Sequence, residues 1–260
     1  MKVNQFLVSS LLYSSLLITG MSCREAVEVT EPIPEQISEV NHFQEAINAA
    51  MTAGQLTQEA DRVQAWEIVA QHWQAALDNL ALVPDSDPNY SLAQEKIVEY
   101  QKNLEYANQN LLDEKLLEAL LGNNANLDEV RALISQGANP RRVSNNMFDD
   151  KVPVLYYAVR SHSDEKVKIM LESGATWNQL SQEQLNDALI GASCDGYLFT
   201  VEELLNAGAD PNSSNRHNET PLLLAQDATC RTVDGNGGRI VDERQHNEVA
   251  NLLREKGALQ

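Results

Sequence analysis

Histidine, cysteine, serine and paired carboxylates are the residues that would carry chemistry in this 260-residue chain, and their spacing argues against it. His42, His72, His162, His217 and His246 are scattered, and none stands at a metal-ligand spacing from a Cys, Asp or Glu. Asp234-Gly235-Asn236-Gly237-Gly238 lacks the alternating oxygens and distal Glu of a calcium loop, and no Lys-Ser/Thr follows to make it a phosphate loop. It reads as a turn. No Ser sits in a Gly-x-Ser-x-Gly elbow, and neither Cys194 nor Cys230 has a local His to activate its thiol. Acidic pairs such as Asp149 and Asp150 are too common among 38 acidic residues to mark a general acid and base. The expectation is a chain with no catalytic residue, no metal, no cofactor and no small-molecule substrate.

The elements that would position any site are helices. Composition is ordinary for a globular protein at 43% hydrophobic and 22% charged, aromatics are scarce at 5%, and Leu, Ala, Glu and Gln dominate. An all-α fold follows. With 38 acidic against 19 basic residues, the formal charge of −19 would repel a phosphate backbone, which excludes nucleic acid as a partner. Most of this acidity reads as solvated helix faces.

Lys2 is followed by an apolar run from Phe6 to Ile18, then small residues, the layout of a secretory signal peptide over residues 1–22. The run is shorter than the ~20 residues a membrane-spanning helix needs. Thr19-Gly20-Met21-Ser22-Cys23 resembles a bacterial lipobox, with Gly20 where that motif usually has Leu. The resemblance implies cleavage before Cys23, a lipid on Cys23, and anchoring in the periplasm or on the envelope surface. Cleavage by the ordinary signal peptidase would instead give a soluble periplasmic protein. Residues 23–34, with Pro32 and Pro34 and no periodicity, read as a tether.

Apolar residues three and four apart predict three helices over 35–110, from Glu35 to Met51, Thr57 to Leu82 and Asn89 to Asn110. Gly54 is expected to separate the first two, and the Pro84-Asp85-Ser86-Asp87-Pro88 turn the last two. Trp66, Val69, Ala70 and Trp73 share a face that resembles a degenerate tetratricopeptide hairpin. A plain three-helix bundle with Trp66, Trp73 and Tyr100 as its core fits equally well.

Over 111–260 a Gly-Ala pair recurs at Gly137-Ala138, Gly174-Ala175, Gly208-Ala209 and Gly257-Ala258. Apolar triplets precede each pair: Val130, Leu133, Ile134; Val167, Met170, Leu171; Val201, Leu204, Leu205; Val249, Leu252, Leu253. A glycine directly after a helix supplies the left-handed backbone that caps free carbonyls. Each unit also has an earlier Leu and Ala three apart, at Leu116 and Ala119, Leu155 and Ala158, Leu185 and Ala188, and Leu222 and Ala225.

The fourth unit opens Thr220-Pro221-Leu222-Leu223-Leu224-Ala225, which resembles the Thr-Pro-Leu-His-x-Ala signature of ankyrin repeats, with Leu223 in the His place. Gly208-Ala209-Asp210-Pro211-Asn212 keeps that family's spacing to Thr220, with Asn215 at its usual Asp and Asn218 at its usual Gly. The first three units depart from the clean Thr-Pro opening. The resemblance implies an ankyrin-like solenoid of about four repeats whose turns and first helices form a concave protein-binding face.

Extra residues fall between the helices of the third and fourth units, the longest from about Asp227 to Gln245. Export would favour disulfides, and Cys194 and Cys230 stand in these inter-helix segments of neighbouring units, so a Cys194–Cys230 bond is expected. The candidate protein-binding residues are the basic and aromatic side chains of the turns: Arg141, Arg142, Met147, Phe148, Trp177, Arg216 and His217. The leading expectation is a lipid-anchored envelope adaptor for an unidentified protein partner. The second is an inhibitor or immunity-type protein that masks an enzyme or toxin in the same compartment.

Overall fold

The computed structural model describes residues 40–122, 126–145, 151–227, 232–233, 239–240 and 243–259. The expected signal peptide, Cys23 and the expected tether lie outside the described residues, as do Met147, Phe148 and Cys230. The described chain is all-α, apart from two short antiparallel strand pairs.

Three helices come first: α1 (His42–Thr57), α2 (Val63–Ala81) and α3 (Tyr90–Leu121). Burial on α2 alternates by three and four through Trp66, Val69, Trp73, Ala76 and Leu80, which turns one stripe inward. Small residues meet it, with Ala46, Ala50 and Ala53 on α1 and Ala93 and Ala107 on α3. Trp73 packs on Tyr100 with ring centroids 5.2 Å apart, and Trp66 stands edge-on to Tyr106 at 5.9 Å. α2 packs along both neighbours, while α1 and α3 meet only marginally.

Gly54 does not separate the first two helices. α1 runs through it to Thr57, because the buried Ala50 and Ala53 hold the helix against α2. The helix ends instead at Gln58, ahead of an extended Arg62. The expected boundary between Asn110 and Leu111 falls inside α3, which is 32 residues long and runs on to Leu121. Ala93, Tyr100 and Ala107 of α3 belong to the first core, whereas its Leu116 and Leu120 belong to the second.

The second core runs through four helix pairs: the end of α3 with α4 (Leu127–Ser135), α5 (Val154–Arg160) with α6 (Asp164–Glu172), α7 (Gln182–Asp195) with α8 (Leu198–Asn206), and α9 (Pro221–Asp227) with α10 (Glu243–Glu255). The first-helix residues Leu116, Leu155, Ala158, Leu185, Ala188, Leu222 and Ala225 are all buried in it.

Each second helix closes the same way. Gly137, Gly174, Gly208 and Gly257 have φ of 106°, 98°, 98° and 93°. In every case the following Ala N–H donates back to a helix carbonyl five residues earlier, at Leu133, Met170, Leu204 and Leu253. This is the Schellman arrangement, which only a residue without a Cβ adopts freely.

Between pairs the chain makes three fingers. The first holds a hairpin of β1 (Val143–Asn145) and β2 (Lys151–Pro153), registered Val143 opposite Pro153. The second contains a 3-10 turn at Trp177–Gln179, and the third spans 209–220. A shorter pair, β3 (Thr232–Val233) with β4 (Arg239–Ile240), lies in the long segment before α10.

Lys166 on α6 is fully buried, yet it is a cation. Its ammonium donates to the carbonyls of Ala119, Leu120 and Gly122 at 3.0, 2.9 and 3.0 Å. These are the free acceptors at the C-terminal end of α3, where a positive charge is favoured. Burial nevertheless holds its pKa below the ordinary lysine value.

Candidate functional site

A groove of about 1300 Å³ opens between the fingers and the first helices α5 and α7. Its wall from the first finger is Lys151 and Val152, and from α5 it is Tyr156 and Arg160, one helical turn apart. Ile190 and Gly191 of α7, with Asn186 and Asp187 a turn before them, line it further, and Ser213 to His217 of the third finger close it.

Local chemistry shapes each wall. On the second finger Ser181 and Gln184 form a reciprocal capping box that starts α7, and Gln184 Nε2 reaches the Lys151 carbonyl at 3.3 Å. On the third finger Asn215 Oδ1 accepts the backbone N–H groups of His217 and Glu219 at 2.9 and 3.0 Å. Asn218 holds the left-handed backbone there, with φ 59°. This tight turn leaves Arg216 and His217 exposed, and Arg216 Nε donates to His217 Nε2 at 3.1 Å.

At the groove wall the Tyr156 hydroxyl donates to Asp187, and Arg160 Nη1 stands 3.4 Å from the same carboxylate. Burial, reinforced by the Asp187 bond, pushes the Tyr156 pKa up to about 12. The three residues tie α5 to α7. Among the described residues no group of three or more His, Cys, Asp or Glu is placed to hold a metal ion.

Of the seven side chains expected at the binding face, Arg216 and His217 line the groove. Arg141 donates its Nε–H to the Gly174 carbonyl, and its own carbonyl accepts Gln179 Nε2 at 2.8 Å. Arg142 is half-buried in an ion pair with Glu114 and reaches the Asn110 carbonyl at 3.3 Å. Burial raises the Glu114 pKa despite that arginine, because desolvation outweighs the pair. Trp177 packs half-buried against the repeat core. Arg141 and Arg142 thus already have polar partners within the fold, and Trp177 has packing contacts only.

Arg141 belongs to a set of clamps that the sequence did not reveal. The closing glycine carbonyl of each unit accepts a side chain from that unit's own first helix or from the finger before it: Gly137 from Gln109 at 3.1 Å, Gly174 from Arg141, Gly208 from Gln182 at 3.0 Å and Gly257 from Asn212 at 3.1 Å. In three units a side-chain oxygen also takes the N–H two residues on: Asp113 from Asn139, Asn186 from Asp210 and Asn212 from Leu259. These bonds satisfy turn groups that would otherwise lack partners.

Cys194 lies in the last turn of α7 rather than in an inter-helix loop, because α7 extends to Asp195 before Gly196 caps it at φ 76°. It is disulfide-bonded, and Cys230 lies outside the described residues. Next to it, buried His246 of α10 shares a hydrogen bond with the Cys194 carbonyl at 3.0 Å, and a Cβ on Gly196 would collide with that imidazole at 2.8 Å. His162 pairs with Asp195 at 2.6 Å, a bond that raises the histidine pKa.

No family model matches the chain. A segment of 73 residues, 28% of the chain, is 40% identical to a putative ankyrin repeat-containing protein of Treponema pallidum (strain Nichols). The match covers 24% of that relative, so the chain spans about a quarter of its length. The likeness supports ankyrin repeats in this chain and agrees with the observed all-α repeat solenoid.

Proposed function

We propose that the chain is a non-catalytic protein-protein interaction module whose groove holds a segment of another protein. The observation that carries this reading is the groove itself. It crosses consecutive repeats, is open along one side of α5 and α7, and exposes Lys151, Glu183, Arg216 and His217, which the solenoid does not bury. The likeness to an ankyrin repeat-containing protein adds support, since such repeats generally serve binding rather than catalysis.

The signal peptide and Cys23 extend the proposal to placement. The module is exported and held in a bacterial envelope by lipid on Cys23, with residues 24–34 as its tether. The Cys194–Cys230 disulfide fits the same compartment and would staple the segment before α10 to α7. Partner capture from envelope extracts by wild type and by Gly191→Trp tests the binding site. Wild type is expected to retain a specific protein that the variant loses; equal capture by both sinks the groove as the site. An envelope component supports the adaptor role, and a captured enzyme or toxin supports the masking role instead. Cys23→Ser is expected to move the protein from membrane to soluble fractions or stall its maturation, and unchanged membrane association would reject the lipid anchor.

A further inference from the structure

The groove differs in charge from the protein that carries it. Its lining holds three firm cations, Lys151, Arg160 and Arg216, against two carboxylates, Glu183 and Asp187, in a chain whose formal charge is −19. Asp187 is already engaged by Arg160 and the Tyr156 hydroxyl. What faces outward is Lys151 from the first finger and Arg216 from the third, both exposed and neither paired with a described carboxylate. Elsewhere among the repeats the cations are mostly committed: Arg131 to Asp128, Arg142 to Glu114, Arg244 to Glu248, Lys166 to three carbonyls and Arg141 to one.

The floor of the groove is open at Gly191, in the interior of α7. A Cβ there would meet nothing within 4 Å, so packing within the solenoid does not demand glycine, and glycine inside a helix costs stability. Its missing side chain instead leaves space for a backbone to pass close to the helix.

We propose that the occupant is an extended polypeptide segment bearing carboxylates, which lies over Gly191 and is held at two points by Lys151 and Arg216. This deepens the binding function proposed above and rests on it. Long-range attraction favours such a segment, because a chain of formal charge −19 repels it on the whole, whereas this strip offers two exposed cations. Lys151 and Arg216 stand on fingers two repeats apart. Helix layers repeat at about 8–10 Å and an extended chain rises about 3.3 Å per residue, so the two carboxylates should be roughly five or six residues apart.

The test is fluorescence anisotropy with the full chain and labelled twelve-residue peptides that share one neutral Ser/Ala/Gly background. They carry two Glu, two Gln or two Lys six residues apart. The Glu peptide is expected to bind at least tenfold more tightly than the Gln peptide, and to lose several-fold in affinity between 50 and 500 mM salt. The double variant K151E/R216E is expected to lose at least tenfold. Lys168→Glu, on the exposed face of α6, should stay within twofold of wild type.

Glu and Gln peptides that bind within twofold of each other, a preference for the Lys peptide, or no Glu-peptide binding up to millimolar concentration would each overturn the proposal. Gly191→Trp separates this failure from that of the groove reading. If it abolishes binding of a peptide that shows no charge preference, the groove stands and the acidic occupant falls. If an acidic peptide binds but responds to neither Gly191→Trp nor K151E/R216E, both fall.

Discussion

The first three helices and the four helix pairs solve the same burial problem in different ways. α1 to α3 rely on bulk, with Trp66, Trp73 and Tyr100 pressed against alanines along heptad-like seams. The pairs rely on devices at fixed positions: a left-handed glycine closing each second helix, a side chain clamping that glycine's carbonyl, and a buried lysine where α3 ends. The first region presents smooth, continuous helices. The second needs interruptions, because each interruption becomes a finger, and the fingers frame the groove. α3 serves both, since its first half packs in one core and its last turns in the other.

The comparison is most sharply tested where bulk matters most. Trp73→Ala should cost about 3–5 kcal/mol in urea unfolding. Because α3 is shared, tryptophan fluorescence and circular dichroism should follow one coincident transition in wild type. Separate transitions would show that the two cores are energetically independent. Next comes Lys166→Met, which keeps the volume but removes the donor to three carbonyls at the end of α3, one of them buried, and should cost about 2–4 kcal/mol. An unaltered midpoint would mean that the carbonyls find other partners.

Gly191→Ala acts in the opposite direction, stabilising the solenoid by about 0.5–1 kcal/mol, because nothing obstructs the added methyl and helix propensity improves. A loss of stability there would show that α7 needs its glycine for the fold itself. The smallest effect belongs to His162. Asp195 raises its folded pKa above the ordinary 6.5, so its contribution is fully present below that value and fades as pH rises through the folded pKa. The side chain is 61% exposed, so solvent screening keeps the effect small. The stability difference between wild type and His162→Gln should therefore be greatest near pH 5.5 and vanish at high pH. A difference constant across that range would assign it to packing.

Much of the fold is legible because its strongest constraints are local. A closing glycine must reach positive φ whatever surrounds it, so four recurrences in sequence become four turns at 93° to 106°. The Leu and Ala of each first helix are readable for the same reason, through helical period alone. The clamps are invisible beforehand because Gln109, Arg141, Gln182 and Asn212 carry no periodic signature and their acceptors lie 28, 33, 26 and 45 residues away. Arg141 and Arg142 stand out in an acidic chain, yet only three dimensions reveal the Gly174 carbonyl and Glu114 that occupy them. Tyr156 and Arg160 were readable in principle, since they follow buried Leu155 and Ala158 on a first helix. As a polar pair one turn apart, they simply lacked the contrast that draws attention to arginines in loops.

Photo-crosslinking from Glu183, on the groove side of α7, compared with Lys168, on the outer face of α6, tests most directly whether the groove is the binding face. With the full-length protein in its native cells, Glu183 should yield a discrete covalent adduct with one protein and Lys168 none. Equal adducts from both positions, or an adduct from Lys168 alone, would contradict a binding face built from fingers and first helices.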